Sequence, residues 1–217
     1  MRHVFVETNW VVDYCAPAHR RVLAAVNLLE AANAGKISLH LPSPCLTEAR
    51  SAIRTKFQPS EANRLREFLK WAKAGGHLVA ASVESTREVL NKFEGLVRQD
   101  LDNLEVKLEQ LKAEKGLEVF ALTSEMLEKS ISLATEVELK PFDNSILAAV
   151  LVRAEELVKS GQTDLAFCEL DGDLQPWGRG GIPDPTLTRL YDNARVWVYR
   201  DFTMTLPKPK AGWFKSS

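Results

Sequence analysis

Five acidic residues of the sequence are placed where they could hold a divalent cation together. They are Glu7, Glu48, Asp143, Asp171 and Asp173, and each stands beside the end of a predicted strand or the start of a predicted helix. Carboxylates brought within a few ångströms of one another either take up protons, because like charges raise their pKa, or bind a metal ion. A ligand set made only of oxygen suits Mg²⁺ or Mn²⁺. A shared metal site is therefore the simplest hypothesis for these acids.

The hydrophobic pattern predicts a scaffold that can bring these acids together. An apolar triplet at residues 4–6 and an alternating stretch at 37–41 predict two strands, and the helix between them ends at Gly35. A strand–helix–strand unit of this kind implies parallel pairing. Further strands are predicted at residues 117–122, 165–170 and 195–199. Ligand sites form at the carboxyl edge of such a sheet, so acids far apart in the sequence can converge there.

Helix signals position the other acids and predict an additional helical segment. Ser43, followed by Pro44, begins a helix that carries Glu48 about one turn inside. Ser85 and Glu88 have the spacing of a capping box, and apolar residues then recur every three or four positions to about residue 115. The pattern predicts a helical arm inserted at about residues 83–116. The arm could pack on its own domain, form a dimer contact or lie over a substrate groove.

Composition restricts the class of protein. The chain has 217 residues, with 28 basic and 29 acidic side chains, so no overall positive charge indicates a polyanionic partner and any contact with nucleic acid must be local. Three scattered cysteines argue against a disulfide framework and favour a reducing, cytoplasmic environment. No apolar run is long enough for a signal peptide or a membrane span. We expect a single domain over residues 1–206 and a flexible tail at 207–217.

Four short stretches resemble the PIN-domain family of ribonucleases, which includes the toxins of bacterial toxin–antitoxin pairs. They begin at Val4, Ser43, Phe142 and Cys168 and read VFVETN, SPCLTE, FDNSILAA and CELDGD. The resemblance extends from residue 4 to about residue 198. It implies a three-layer α/β/α fold with a central parallel sheet. It also implies an acidic pocket that binds Mg²⁺ or Mn²⁺ and hydrolyses RNA phosphodiester bonds, so the expected function is that of a metal-dependent endoribonuclease.

The resemblance assigns roles to particular residues. Glu7, Asp143 and Asp171 are expected to bind the metal, Glu48 to bind it or to orient a water molecule, and Asp173 to be an outer ligand. Thr8 or Asn9 could hydrogen-bond a ligand carboxylate or the scissile phosphate. Three partners are expected. RNA would bind through the guanidinium groups of Arg50 and Arg54. The other two partners are an antitoxin-like protein and a second copy of the chain in a homodimer.

Two departures from the family pattern favour an alternative. The first acid of the family is usually aspartate, whereas this chain has Glu7, which is one methylene longer, and Mg²⁺ demands near-ideal octahedral geometry. The long interval between Glu48 and Asp143 accommodates the arm, which the smallest members lack. The alternative function is a catalytically silent PIN-like module that binds RNA or protein.

Each of these residues also has an ordinary structural explanation. Asp143 could be a helix N-cap, and Glu7 could cap the turn that follows the first strand. Glu48 could pair with an arginine, and Asp171 and Asp173 could form a turn. Arginines after Glu48 could lie on a solvated helix face. Trp177 could pack its own loop instead of stacking on an unpaired base.

Overall fold

The computed structural model of the chain describes residues 1–58, 60–170, 172–177 and 184–204, with the backbone alone at residues 60 and 61. Asp171 and the predicted tail at 207–217 lie outside the described residues. Five strands form one all-parallel sheet in the order β3-β2-β1-β4-β5. The strands are β1 (Arg2–Phe5), β2 (Ile37–Pro42), β3 (Leu117–Phe120), β4 (Leu165–Cys168) and β5 (Val196–Tyr199).

Helices cover both faces of this sheet. Along the described chain they are α1 (Thr8–Cys15), α2 (Leu23–Asn33), α3 (Pro44–Lys56), α4 (Ser60–Ala74), α5 (Ala80–Asp102), α6 (Leu104–Lys112), α7 (Ser124–Leu133), α8 (Pro141–Lys159) and α9 (Pro185–Ala194). Helix α1 packs on α2, α3 and α6, whereas α8 packs on α7 and α9. Right-handed crossovers put the first group on one face and the second on the other, because the chain reverses its direction across the sheet after β3. The predicted three-layer α/β/α fold is confirmed.

The core lies between the sheet and these two helical layers. The strands are buried over most of their length, as expected for a sheet covered on both faces. Trp10 of α1 is fully buried and donates its indole N–H to the carbonyl of Ala25, 3.1 Å away, so α1 and α2 are joined by a polar contact inside the apolar layer. None of the helices within the described ranges is both long enough and apolar enough to cross a bilayer.

The predicted arm differs from the observed structure in two ways. Its helix begins at Ala80 instead of Ser85, so Ser85 and Glu88 lie inside α5 and the predicted capping box is wrong. The long helix is interrupted at Asn103, after which α6 turns into the core with Leu104, Leu108 and Leu111 buried. The arm therefore packs on its own domain through α6, while α5 pairs with α4 in an antiparallel helical hairpin.

Candidate functional site

The strand order creates a crevice between β1 and β4. From β1 the chain crosses to β2 and β3 on one side, and later to β4 and β5 on the other side. Helices that follow neighbouring strands here leave toward opposite faces of the sheet. In open parallel sheets ligands bind at such a switch point, just outside the carboxyl ends of the strands. The carboxyl ends of β1 and β4 are therefore where a functional site is expected.

Two buried glutamates lie at matching positions just after β1 and β4. Phe5 of β1 is opposite Phe167 of β4, so Glu7 and Glu169, each two residues further on, occupy equivalent positions beyond the strand ends. Glu7 is 6% exposed and Glu169 is fully buried. Because burial of a charged group costs free energy, two buried carboxylates at a switch point mark this place as a candidate for ligand binding.

Glu169 was not among the residues predicted from the sequence. The predicted strand ran to residue 170, so Glu169 counted as an interior strand residue, whereas β4 ends at Cys168. The available signal was a single charged residue inside the apolar stretch LAFCEL. Burial raises the pKa of the Tyr191 hydroxyl, and the nearby charge of Glu169 raises it further, which places the carboxylate within electrostatic reach of α9.

Glu7 also has a structural role. Its backbone is extended and its Oε2 accepts a hydrogen bond from the backbone N–H of Asn9 at 2.8 Å, which makes Glu7 the N-cap of α1. The alternative that Glu7 caps the following turn is therefore confirmed. A carboxylate at a helix N-terminus is also stabilised by the helix dipole.

Glu48 is joined to the same region through Thr8. The Thr8 hydroxyl donates a hydrogen bond to Oε2 of Glu48, which fixes the carboxylate of α3 beside the start of α1. The buried thiol of Cys45 lies within electrostatic reach of both acids. Burial raises its pKa, and the charges of Glu7 and Glu48 raise it further. Glu7 and Glu48 therefore act on one thiol, although they are far apart in the sequence.

An open pocket of about 830 Å³ extends outward from Glu48. The first two turns of α3 form one wall, through Thr47 and Ser51 among others, and Val119 of β3 and Phe142 of α8 form the other. Lys112, the last residue of α6, also lines the pocket. The carboxylate of Glu48, which is exposed, is thus accessible from this pocket.

Asp143 lies in the first turn of α8, which begins at the same edge of the sheet because the chain runs from β3 through α7 and α8 to β4. The N-cap is Lys140, so the alternative of Asp143 as N-cap is wrong. An acidic side chain in a first helical turn is favoured by the helix dipole. Lys140 Nζ lies 4.0 Å from Oδ2 of Asp173, which brings the turn after β4 next to the start of α8.

The described acids suit a divalent cation in their chemistry, since all their donor atoms are oxygens. Over residues 1–58, 60–170, 172–177 and 184–204, however, no three side chains of His, Cys, Asp or Glu are grouped closely enough to hold one. This range omits Asp171, one of the predicted ligands. The structure thus associates Glu7 with Glu48, aligns Glu7 with Glu169 and sets Asp173 beside Lys140, and the complete metal site stays a prediction.

The basic residues predicted to contact RNA have acidic partners. Nε of Arg50 and a terminal nitrogen of Arg54 lie 2.6 Å and 3.1 Å from Oε1 of Glu105, at the start of α6. Both side chains are about half exposed, so their role in RNA binding stays a prediction. The Trp177 ring lies 4.5 Å from the guanidinium of Arg200, so this tryptophan packs against its own chain.

Comparison with known proteins adds no family assignment. No protein-family model matches the chain, and no curated protein or solved structure is similar enough to count as a match.

Proposed function

We propose that the chain is a metal-dependent endoribonuclease that hydrolyses RNA phosphodiester bonds at the carboxyl edge of its sheet. The observation that carries this proposal is the equivalent position of two buried glutamates, Glu7 and Glu169, at the switch point between β1 and β4. Glu48 is held next to Glu7 by Thr8, and a pocket leads from Glu48 to the surface. The PIN-like stretches of the sequence contain Glu7, Glu48, Asp143 and Asp171 in the order that the resemblance implies.

The proposed metal ligands are the carboxylates of this edge. Glu7 and Glu169, with Asp171 as the third ligand, would hold Mg²⁺ or Mn²⁺, and Asp143 and Asp173 would be outer ligands. When bound, the cation supplies a water molecule of lowered pKa and offsets charge on the attacked phosphate. No nucleophilic side chain is then required.

The chain's own groups prepare this site in three ways. The Asn9 amide fixes one oxygen of Glu7, and the Thr8 hydroxyl fixes one oxygen of Glu48, so both carboxylates are oriented before a substrate arrives. Burial around Glu169 excludes water and strengthens electrostatic interactions. Lys140, with a side chain 74% exposed, stands at the rim as a contact for an RNA phosphate.

Cleavage of an RNA pool, followed with Mn²⁺ or Mg²⁺ and with EDTA, tests this function. Glu169→Gln and Asp143→Asn should each abolish metal-dependent cleavage. Asp164→Asn is the matched control, because Asp164 precedes the same strand β4 at the opposite edge of the sheet and pairs with Arg2. Undiminished cleavage by Glu169→Gln, or no cleavage by the unaltered chain with either metal, would refute the proposal.

A catalytically silent PIN-like module that binds RNA or protein is the second candidate. One observation favours it, which is that Glu7 already serves as a buried N-cap of α1. A silent module would bind RNA equally well in EDTA and would leave it intact. A toxin-type nuclease would instead be inhibited by an antitoxin-like protein, and adding such a partner should stop cleavage.

A further inference from the structure

The antiparallel hairpin of α4 and α5 has a well-defined buried seam. Leu69 and Ala72 of α4 and Val83 and Val97 of α5 are each less than 5% exposed. Arg66 of α4 donates two hydrogen bonds to Glu94 of α5 across this seam. The seam sets the rotation of both helices about their axes, and so determines which side chains face outward.

Outside the seam, the hairpin exposes large apolar side chains in two stripes. In α4 they recur at intervals of three residues, and in α5 at intervals of four and three, as expected for one side of a helix. Each is between 38% and 66% exposed. These residues, which we call the hairpin face, are Leu65, Phe68, Trp71, Val89, Phe93 and Leu96.

Both stripes lie on the same broad side of the hairpin. Successive residues of an α-helix are about 100° apart around its axis. In both α4 and α5 the exposed stripe is rotated about the helix axis by roughly 100° from the buried seam. The direction of this rotation is the same in both helices when each is viewed from its N-terminus. Because the helices are antiparallel and their seams face each other, equal rotations turn the two stripes toward the same side. Near the C-terminal end of α5 this side borders a cleft of about 400 Å³, which Phe93 and Leu96 share with Ala18 and His19 of the same chain. The ring of Phe93 contacts the ring of His19 there, with 4.9 Å between the ring centroids.

The size of the hairpin face argues for an interface. Given the areas of these aliphatic and aromatic side chains, the exposed surface is on the order of 700 Å². The largest apolar patch of a typical monomer covers about 300–600 Å², and a stable interface buries about 800 Å² on each partner. Burial of the hairpin face would therefore provide most of the area that a stable dimer needs.

The charge of the hairpin fits a second copy as the occupant. Residues 60–102 contain seven basic and seven acidic side chains, so the hairpin has no net charge. A neutral surface neither attracts a polyanion nor repels its own copy. A two-helix layer that is apolar on one broad side is half of a four-helix bundle, and a twofold axis through that side completes the bundle with identical residues.

We propose that the chain forms a twofold homodimer in which the hairpin face of one copy packs on the hairpin face of the other. The resulting four-helix bundle buries Phe68 and Trp71 at its centre. This inference does not depend on the proposed nuclease activity, since the hairpin face and the acidic edge of the sheet share no residue.

The mass of the full chain in solution, measured by light scattering and sedimentation equilibrium from about 1 to 100 µM, tests this dimer. The unaltered chain should be dimeric, and Phe68→Glu and Trp71→Glu should each weaken the dimer at least 100-fold. Ile131→Glu is the matched control, because Ile131 is 73% exposed on α7, away from the hairpin. A monomer at 100 µM, or a dimer unaffected by both hairpin substitutions, would overturn the proposal.

Cross-linking provides a second measurement that does not depend on a destabilising substitution. Cys15, Cys45 and Cys168 are all buried, so an introduced surface cysteine is the thiol that reacts. Val89→Cys should give cross-linked dimers with a short bis-maleimide, whereas Ile131→Cys should not. Equal cross-linking at both positions would show nonspecific contact and refute the interface.

Discussion

His3 and His40 lie side by side on adjacent strands, with Nδ1 of His3 2.9 Å from Nε2 of His40 and their rings stacked. Nδ1 of His40 lies 2.7 Å from Oε2 of Glu118. An ionised carboxylate only accepts hydrogen bonds, so Nδ1 of His40 carries the proton and its Nε2 accepts from Nδ1–H of His3. The arrangement links β1, β2 and β3 through side chains. Both hydrogen bonds of the His40 ring form while His40 is neutral.

The free energy of unfolding should fall as the pH is lowered, because His40 stays neutral in the folded chain at pH values where an unfolded histidine is protonated. Burial lowers the pKa of His40 to about 4, although the charge and hydrogen bond of Glu118 act in the opposite direction, and His3 and Arg153 lower it further. An unfolded histidine titrates near pH 6.5. Between about pH 6.5 and 4 the unfolded chain therefore binds a proton that the folded chain does not, which costs about 3 kcal/mol in all.

Urea unfolding of the unaltered chain and of His40→Gln at pH 7.5, 5.5 and 4 measures this contribution. The unaltered chain should lose about 3 kcal/mol more than the variant over this range, because glutamine does not titrate. His19→Gln serves as the control, since His19 is exposed in the turn before α2, and its stability should follow that of the unaltered chain. Parallel pH profiles for the unaltered chain and His40→Gln would contradict the prediction.

Removing the Thr8 hydroxyl should impair cleavage while leaving the fold intact. Valine has nearly the shape of threonine but cannot donate a hydrogen bond to Glu48. If Glu48 orients the reacting water, Thr8→Val should lower the rate about 10- to 100-fold, since small misplacements of a catalytic group have effects of this size.

Thr8→Ser keeps the hydroxyl and should retain most of the activity. The thermal unfolding midpoints of both variants should remain close to that of the unaltered chain, because Glu48 is exposed. Equal losses of activity in the valine and serine variants would show that packing, and not the hydrogen bond, matters at this position.

A bound cation should stabilise the folded chain by mass action. At a free Mn²⁺ concentration 100 times the dissociation constant, the expected gain is about 2.7 kcal/mol. Thermal unfolding with EDTA and with millimolar Mn²⁺ should show a higher midpoint with the metal, and Glu169→Gln should remove the difference. An identical midpoint with and without Mn²⁺ would favour the silent binding module.

Two glycine-to-alanine substitutions should change stability in opposite directions. A Cβ at Gly116 would lie 2.4 Å from the carbonyl carbon of Ala32 and 2.5 Å from the nitrogen of Asn33, both backbone atoms. Gly116→Ala should therefore destabilise the fold by about 1–3 kcal/mol. A Cβ at Gly95, inside α5, meets nothing among the described atoms within 4 Å, so Gly95→Ala should stabilise it by about 0.5–1 kcal/mol.

Chemical unfolding of the two alanine variants provides the comparison. The identical chemical change at both positions makes each variant the control for the other. Destabilisation by Gly95→Ala would contradict the prediction, and would mean that a Cβ at this position meets atoms of the folded protein.

The fold could be predicted from the sequence where local pattern and tertiary packing agree. The alternating stretch of β2 and the helix ending before Gly35 are such cases. Helix α1 was missed because Glu7 is not among the residues preferred at an N-cap. Only the hydrogen bond from the backbone N–H of Asn9 to the Glu7 carboxylate identifies Glu7 as the N-cap.

The limits of the arm could not be predicted because they depend on contacts remote in sequence. An S-x-x-E pattern also fits a helix interior, and burial of Val83 within the hairpin accompanies a helix start five residues before Ser85. The candidate site shows the same dependence. Glu169 is placed opposite Glu7 by the register between β1 and β4, and no spacing within either segment specifies that register.

The ion pairs of Arg50 and Arg54 with Glu105 place the last two turns of α3 beside the first turn of α6. The polypeptide therefore leaves for the hairpin and returns from it at nearly one point. A connection of a few residues could bridge that point without shifting any strand. The segment between α3 and α6 is thus a cassette that evolution could add, exchange or delete, with self-association changing independently of the chemistry at the sheet edge.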